Sequence, residues 1–194
     1  FRRLRQGKPD ARCAALQALP LVAAKGTAEV VKAVLAALED SDGRVRRLAA
    51  SVLCELGDES VVGELGQVLE HRDADVRCSG LNALSKVARQ GDEVAMSALK
   101  ARAEDPDARV RYKVLEVLPK LARPGDTAVI DLVTELLGDP DKHVLSAAWS
   151  TLAKVSDKSN FPFGAVSALL EHPESTVRRA AAKALSSMKV SEES

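Results

Sequence analysis

One phrase recurs along the chain, and its spacing constrains the fold more than any other feature. It reads Asp40-Ser-Asp-Gly-Arg-Val45-Arg46, then Arg72-Asp-Ala-Asp75-Val76-Arg77, then Asp105-Pro-Asp-Ala-Arg-Val110-Arg111. It returns as Asp139-Pro-Asp-Lys-His-Val144-Leu145 and His172-Pro-Glu-Ser-Thr-Val177-Arg178, with a degenerate first copy at Lys8-Pro-Asp-Ala11-Arg12. Anchors at 11, 45, 76, 110, 144 and 177 lie 34, 31, 34, 34 and 33 residues apart. A period near 33 is the signature of stacked supersecondary units rather than one globular core.

Each unit reads as two helices. Counting from the anchor, offset 4 gives Ala15, Ala49, Gly80, Val114, Ala148 and Ala181. Offset 8 is Leu19, Leu53, Leu84, Leu118, Leu152 and Leu185, and offset 11 is Val22, Leu56, Val87, Leu121, Val155 and Met188. Positions 0, 4, 8 and 11 form one stripe of a 3.6-residue helix, and small residues at offset 4 admit a close neighbour. The spacing predicts first helices over Thr27–Glu39, Glu59–His71, Asp92–Glu104, Asp126–Leu137 and Phe163–Glu171. Second helices are predicted over Pro9–Ala24, Arg44–Leu56, Ala74–Arg89, Ala108–Ala122, Lys142–Val155 and Ser175–Met188. Thr27 and Asp126 are candidate caps, and Gly57, Gly91 and Gly125 mark exits. Pro20 and Pro119, late in second helices, should kink or shorten them. The units fall at about 1–25, 26–57, 58–90, 91–124, 125–158 and 159–190, with a polar tail at 191–194.

Composition fits such an array. The chain is 46% hydrophobic but 3% aromatic, so the core is Ala, Leu and Val. Basic and acidic residues balance at 28 each, unlike a disordered chain or a general nucleic-acid binder. No apolar run approaches the roughly 18 residues of a membrane span. Cys13, Cys54 and Cys78 lack metal spacing and read as small apolar residues of a reducing, intracellular compartment, the cytoplasm first and an organelle second. Cys13 and Cys78, two repeats apart, should lie about 20 Å from each other, beyond disulfide reach. The chain starts Phe1-Arg2-Arg3-Leu4, without Met, and residues Phe1–Arg5 would be the last turn of a first helix; a piece of a longer array is expected.

The Asp-Pro-Asp-x-x-Val-Arg turn, the Ala-rich second helix and the period resemble HEAT repeats, especially the short HEAT-like repeats of phycobilisome lyases. The resemblance spans Leu4 to Met188. It implies an all-α fold: a right-handed α-solenoid of about six helix-turn-helix units, the first incomplete. First helices would take the convex side and second helices a concave groove, and most members are scaffolds or adaptors.

The function expected is therefore a non-catalytic protein-interaction scaffold that binds one or more proteins, or a larger complex, along the face of the second helices. The candidate inner-face residues are Arg47, Ser51, Asn82, Ser85, Arg89, Tyr112, Glu116, Arg123, Ser146, Ser150, Arg179 and Lys183. Tyr112, Arg47 and Arg179 are its larger anchors, of types favoured at interface hot spots. The alternatives are a bilin-lyase-like or pigment-protein assembly factor, resting on fold analogy, and a HEAT-like nucleic-acid binder, which needs a basic face with aromatic contacts.

The recurring Arg12, Arg46, Arg77, Arg111 and Arg178, with Asp42, Asp73, Asp107 and Asp141 three residues before their anchors, read as a structural Asp–Arg ladder between adjacent turns. Leu145 should leave a gap in it. Repeat-built di-iron hydroxylases use His-Glu dipeptides, but His71 and His172 follow Glu70 and Glu171, and His143 lies in a turn, so no metal or other cofactor is expected. Trp149, at the apolar offset 5, is expected in the core.

Overall fold

A computed structural model describes residues 4, 7–57, 61–123, 125–157 and 159–190, with backbone alone for 187–190. It is all-helical, with no strand among the described residues. The helices are α1 (Pro9–Val22), α2 (Ala28–Ala37), α3 (Gly43–Leu56), α4 (Val61–Leu69), α5 (Ala74–Val87) and α6 (Glu93–Ala103). They continue as α7 (Ala108–Leu121), α8 (Thr127–Glu135), α9 (Lys142–Val155), α10 (Phe163–Ala168) and α11 (Ser175–Val190). Short 3-10 turns, Leu136–Gly138 and Leu169–Glu171, extend α8 and α10. The expected pairs are all present, with ends shifted by a residue or two. The expected turn at Phe1–Arg5, apart from the buried Leu4, lies outside the described residues, as do the side chain of Met188 and the tail at 191–194.

The recurring turns start the second helices. The carboxylates of Asp42, Asp73, Asp107 and Asp141 accept the backbone N–H two residues on, at 2.8, 2.8, 2.9 and 2.8 Å. Each satisfies a donor that a helix start otherwise leaves open. Asp92 and Asp126 do the same for α6 and α8. Thr27 does not: its hydroxyl donates to the Ala24 carbonyl instead, so α2 begins without a side-chain cap.

The second helices form a row in which α1, α3, α5, α7 and α9 each pack closely on the next, and each first helix packs on the second helix of its own pair. The anchor stripe faces this interior: Val45, Ala49 and Leu53 are fully buried, as are Val110, Val114 and Leu118. Gly80 shows how tight the seam is, since a Cβ there would meet Val68 and Leu69 side chains at 3.0 Å. The last step differs. Among the described residues α11 packs on α10 and its 3-10 extension but not closely on α9.

Three expectations need correction. Val22, expected in the core stripe, is 80% exposed, and Leu21 beside it is 85% exposed. No first helix covers α1 among the described residues, so the end of its stripe meets solvent. Pro20 does not shorten α1, nor Pro119 α7: at 14 residues both match α3, α5 and α9. A proline removes the N–H that would bond the carbonyl four residues back. That carbonyl, of Leu115, instead accepts the Thr151 hydroxyl of α9 at 3.1 Å in the buried seam. Trp149 is not enclosed: it is half-buried at the edge of the core. No helix among the described residues is long and apolar enough to cross a membrane.

Candidate functional site

The arginines of the recurring turns bridge neighbouring units, but the aspartates they meet are not the ones expected. Arg77 reaches 28 residues ahead to Asp105, with Nε to Oδ2 at 2.8 Å and Nη2 to Oδ1 at 2.6 Å. Arg111 grips Asp139 (2.7 and 2.9 Å) and Arg12 grips Asp40 (2.6 and 2.7 Å) in the same forked way. Asp42, Asp73, Asp107 and Asp141 are helix caps instead, so the ladder runs through the aspartate two positions earlier. The cap column repeats more regularly in the sequence than the ladder column, so repetition alone points to the wrong carboxylate; the stagger between units decides which one a guanidinium reaches.

Each arginine also holds its own turn. Nη1 of Arg46, Arg77, Arg111 and Arg178 donates to the carbonyl oxygens five and six residues back. The aspartate closes the circuit by accepting a turn N–H: Asp42 N donates to Asp40, Asp107 N to Asp105, and Asp141 N to Asp139. Charge and fixed geometry reinforce one another in such forked pairs. The bonds to Asp105 and Asp139 raise the Arg77 and Arg111 pKa values, against the opposing effect of burial. At the caps, the Arg44 and Arg109 side chains hold Asp42 and Asp107 down to about 2, helped by backbone N–H bonds.

Two histidines interrupt this ladder. His71 and His172 stand where the other turns carry Asp40, Asp105 and Asp139. Each keeps the turn bond, its Nδ1 accepting from Asp73 N and Glu174 N, but neither supplies the carboxylate. Arg46, facing the His71 turn, makes do with a single 3.3 Å contact to Asp75, and its buried Nε has no partner. At the next break both partners are missing, since Leu145 replaces the arginine and His172 the aspartate. That is the junction where α9 and α11 part.

A chain of hollows follows the second helices toward this junction. The first, of about 420 Å³, is bounded by Cys78, Arg109, Tyr112, Lys113, Glu116, Asp141 and His143 on and around α5, α7 and α9. The second, of about 400 Å³, shares Tyr112, Glu116 and His143 and adds Ser146, Ser150, Thr151 and Lys154. The third, of about 620 Å³, shares Ser146 and Ser150 and lies between α9 and α11. Its walls are Lys142, Leu145, Trp149 and Ala153 on one side and Thr176, Ala180, Lys183 and Ala184 on the other. Neighbouring hollows thus share walls along the row.

Of the expected inner-face residues, this surface gathers Tyr112, Glu116, Ser146, Ser150 and Lys183. Arg47, Ser51, Asn82, Ser85, Arg89, Arg123 and Arg179 do not line it. Arg123 lies over Gly91 instead: a Cβ at that positive-φ glycine (+76°) would fall 2.2 Å from the Arg123 Nε. Ser85 donates to the carbonyl of Asn82 within α5. Glu116 is ion-paired with Lys113 on its own helix. The cysteines are free thiols, with burial pushing the Cys78 pKa up. Trp149 was assigned to the core because offset 5 is apolar throughout. The signal for its other role is Leu145, which gives α9 an extra apolar pair at four-residue spacing where other units carry arginine. Among the described residues no group of three His, Cys, Asp or Glu is placed to hold a metal ion.

Comparison with known proteins agrees with this architecture. The family model for HEAT repeats matches residues 31–119 and 98–163. No curated protein matches the sequence. Among solved structures, the complex of CpcE and CpcF of phycocyanin lyase from Nostoc sp. PCC7120 is similar with a TM-score of 0.57 at 24% identity, over 93% of this chain and 72% of that one. A designed armadillo repeat protein in complex with the peptide (KR)4 gives 0.53 at 16% identity, over 96% and 97%. An archaeal HEAT-like repeats protein from Thermococcus onnurineus NA1 gives 0.52 at 15%, over 97% and 85%. Such identities carry the fold and nothing finer. Turn phrase, period, stacked helix pairs and family match together place this α-solenoid in the HEAT-repeat family, to which the chain belongs.

Proposed function

We propose that this chain is a non-catalytic scaffold that holds a partner protein along its second-helix face. The observation that carries this reading is the run of three adjoining hollows from Cys78 to Ala184, which spans four second helices. A surface of that length suits an extended segment rather than a compact small molecule. Tyr112, 38% exposed, stands where two of its parts meet and offers a rigid amphipathic contact. The HEAT and armadillo folds commonly serve protein interaction, and the peptide in the designed armadillo complex is an example from that protein. Lyase-like chemistry and nucleic-acid binding have no comparable support in the hollow, whose N-terminal part mixes Glu116 and Asp141 with its cations.

A photo-crosslinking residue tests the reading. Placed at Tyr112 it should trap protein partners in cells, and placed at the exposed Gln67 of α4 it should not. Equal trapping at both positions, or none at 112, overturns it.

A further inference from the structure

We infer that the hollow between α9 and α11 binds an acidic segment of a partner protein, seating an apolar side chain against Leu145 and Trp149 and meeting the surrounding lysines with its carboxylates. This rests on the scaffold reading and deepens it by naming what the C-terminal end of the face recognises.

Three observations converge there. First, the space is a consequence of the sequence. Elsewhere in the row a neighbouring second helix fills the position, whereas here the helices part and leave about 620 Å³ between an indole and a run of small residues. Second, the charge is one-sided. Lys142 and Lys183 line this hollow from opposite walls, and no carboxylate lines the space between α9 and α11, whereas the adjoining hollow holds Lys154 together with Glu116. None of the three lysines is ion-paired among the described residues. Cations left without counter-charges around an apolar floor favour a ligand that brings carboxylates and a greasy side chain together. Third, the Trp149 indole N–H at this wall is buried without an acceptor. A buried donor in that state is costly, so a small shift of the indole that lets a ligand oxygen reach the N–H would be repaid.

The chain has a single tryptophan, so its emission reports directly on this hollow. The probes are tryptophan-free ten-residue peptides: one alternating Glu and Leu, one alternating Lys and Leu, one of Glu alone, and a 20-nucleotide oligothymidylate. The Glu-Leu peptide should shift Trp149 emission saturably and bind at least tenfold more tightly than the other three. Lys183→Glu and Lys142→Glu should each weaken it about tenfold while leaving helicity unchanged. Trp149→Phe, which keeps an aromatic ring but loses the N–H and the second ring of the indole, should weaken it several-fold when read by anisotropy of a labelled peptide. Tighter binding of the Lys-Leu peptide or of the oligonucleotide, indifference to both lysine changes, a second copy of the chain taking the site, or no emission shift overturns the proposal. Failure here with partner crosslinks still forming at position 112 discards the acidic chemistry and leaves the scaffold reading. Loss of those crosslinks with peptide binding intact does the reverse.

Discussion

The α5–α7 and α9–α11 junctions are built from the same turn, yet one is closed and the other open. At the first, Arg77 is 7% exposed and Asp105 3%, and their forked pair ties the turns where α5 and α7 pack directly. At the second, leucine and histidine occupy the corresponding positions, and a lysine-rimmed hollow stands where the seam would be. The α3–α5 junction lies between. Its aspartate has become His71, but Arg46 survives, finds Asp75, and the helices stay packed. Loss of one partner is thus compatible with a closed seam, and loss of both coincides with an open one. In this array the seam opens at the junction where both members of the rung are missing.

The comparison can be broken at its strongest point first. Asp105→Ala leaves Arg77 buried without a counter-charge and should cost about 3–5 kcal/mol, as removal of one member of a buried pair does. Urea denaturation measures it, and a cost below about 1 kcal/mol would show that the rung does not hold the seam. Next, Leu145→Arg combined with His172→Asp rebuilds the missing rung. Amide exchange in the first turns of α11 should slow by roughly tenfold, or about 1.4 kcal/mol, and Trp149 emission should move to shorter wavelength as the hollow narrows. Unchanged exchange would uncouple the rung from the opening. His71→Asp gives Arg46 the carboxylate its neighbours enjoy, and a gain of about 1 kcal/mol in stability is expected from the new charge-assisted bond.

The smallest effect concerns the caps. Asp107→Ala should cost about 1 kcal/mol at neutral pH through the lost cap. The Asp107 carboxylate is held at about 2 in the folded chain, below the roughly 3.9 of an unfolded aspartate. Its ionisation therefore stabilises the fold above pH 4, and that contribution fades as the pH falls from about 4 toward 2. The gap between parent and variant melting temperatures should narrow over that window. A gap that stays constant would mean that the charge contributes nothing.

Much of this was legible before any coordinates. The period placed every helix pair, because a buried stripe at offsets 0, 4 and 8 leaves a helix one face to hide. Leu145 foretold a gap in the ladder. The sequence did not show which carboxylate completes a rung, because the choice depends on how far Asp40 and Asp42 each stand from the preceding unit. For the same reason His71 and His172 looked like ordinary turn residues until their column was known. Helical offset gives direction along a face but not the local width between helices, so it did not show which inner-face residues line the hollows. Trp149 was the reverse case: a core position by offset, turned into a wall by the parting of α11.

The bond between Thr151 and the carbonyl freed by Pro119 has a consequence for the array as a set of parts. It joins an irregularity in one unit to a hydroxyl in the next. Repeats of a solenoid look like tiles that could be shuffled, duplicated or deleted. The match is particular to these two: the first unit also carries a proline at this place, Pro20, but its neighbour has Val52 where the threonine would stand and offers no hydroxyl. The order of the units is written into the chain at that seam, one neighbour at a time.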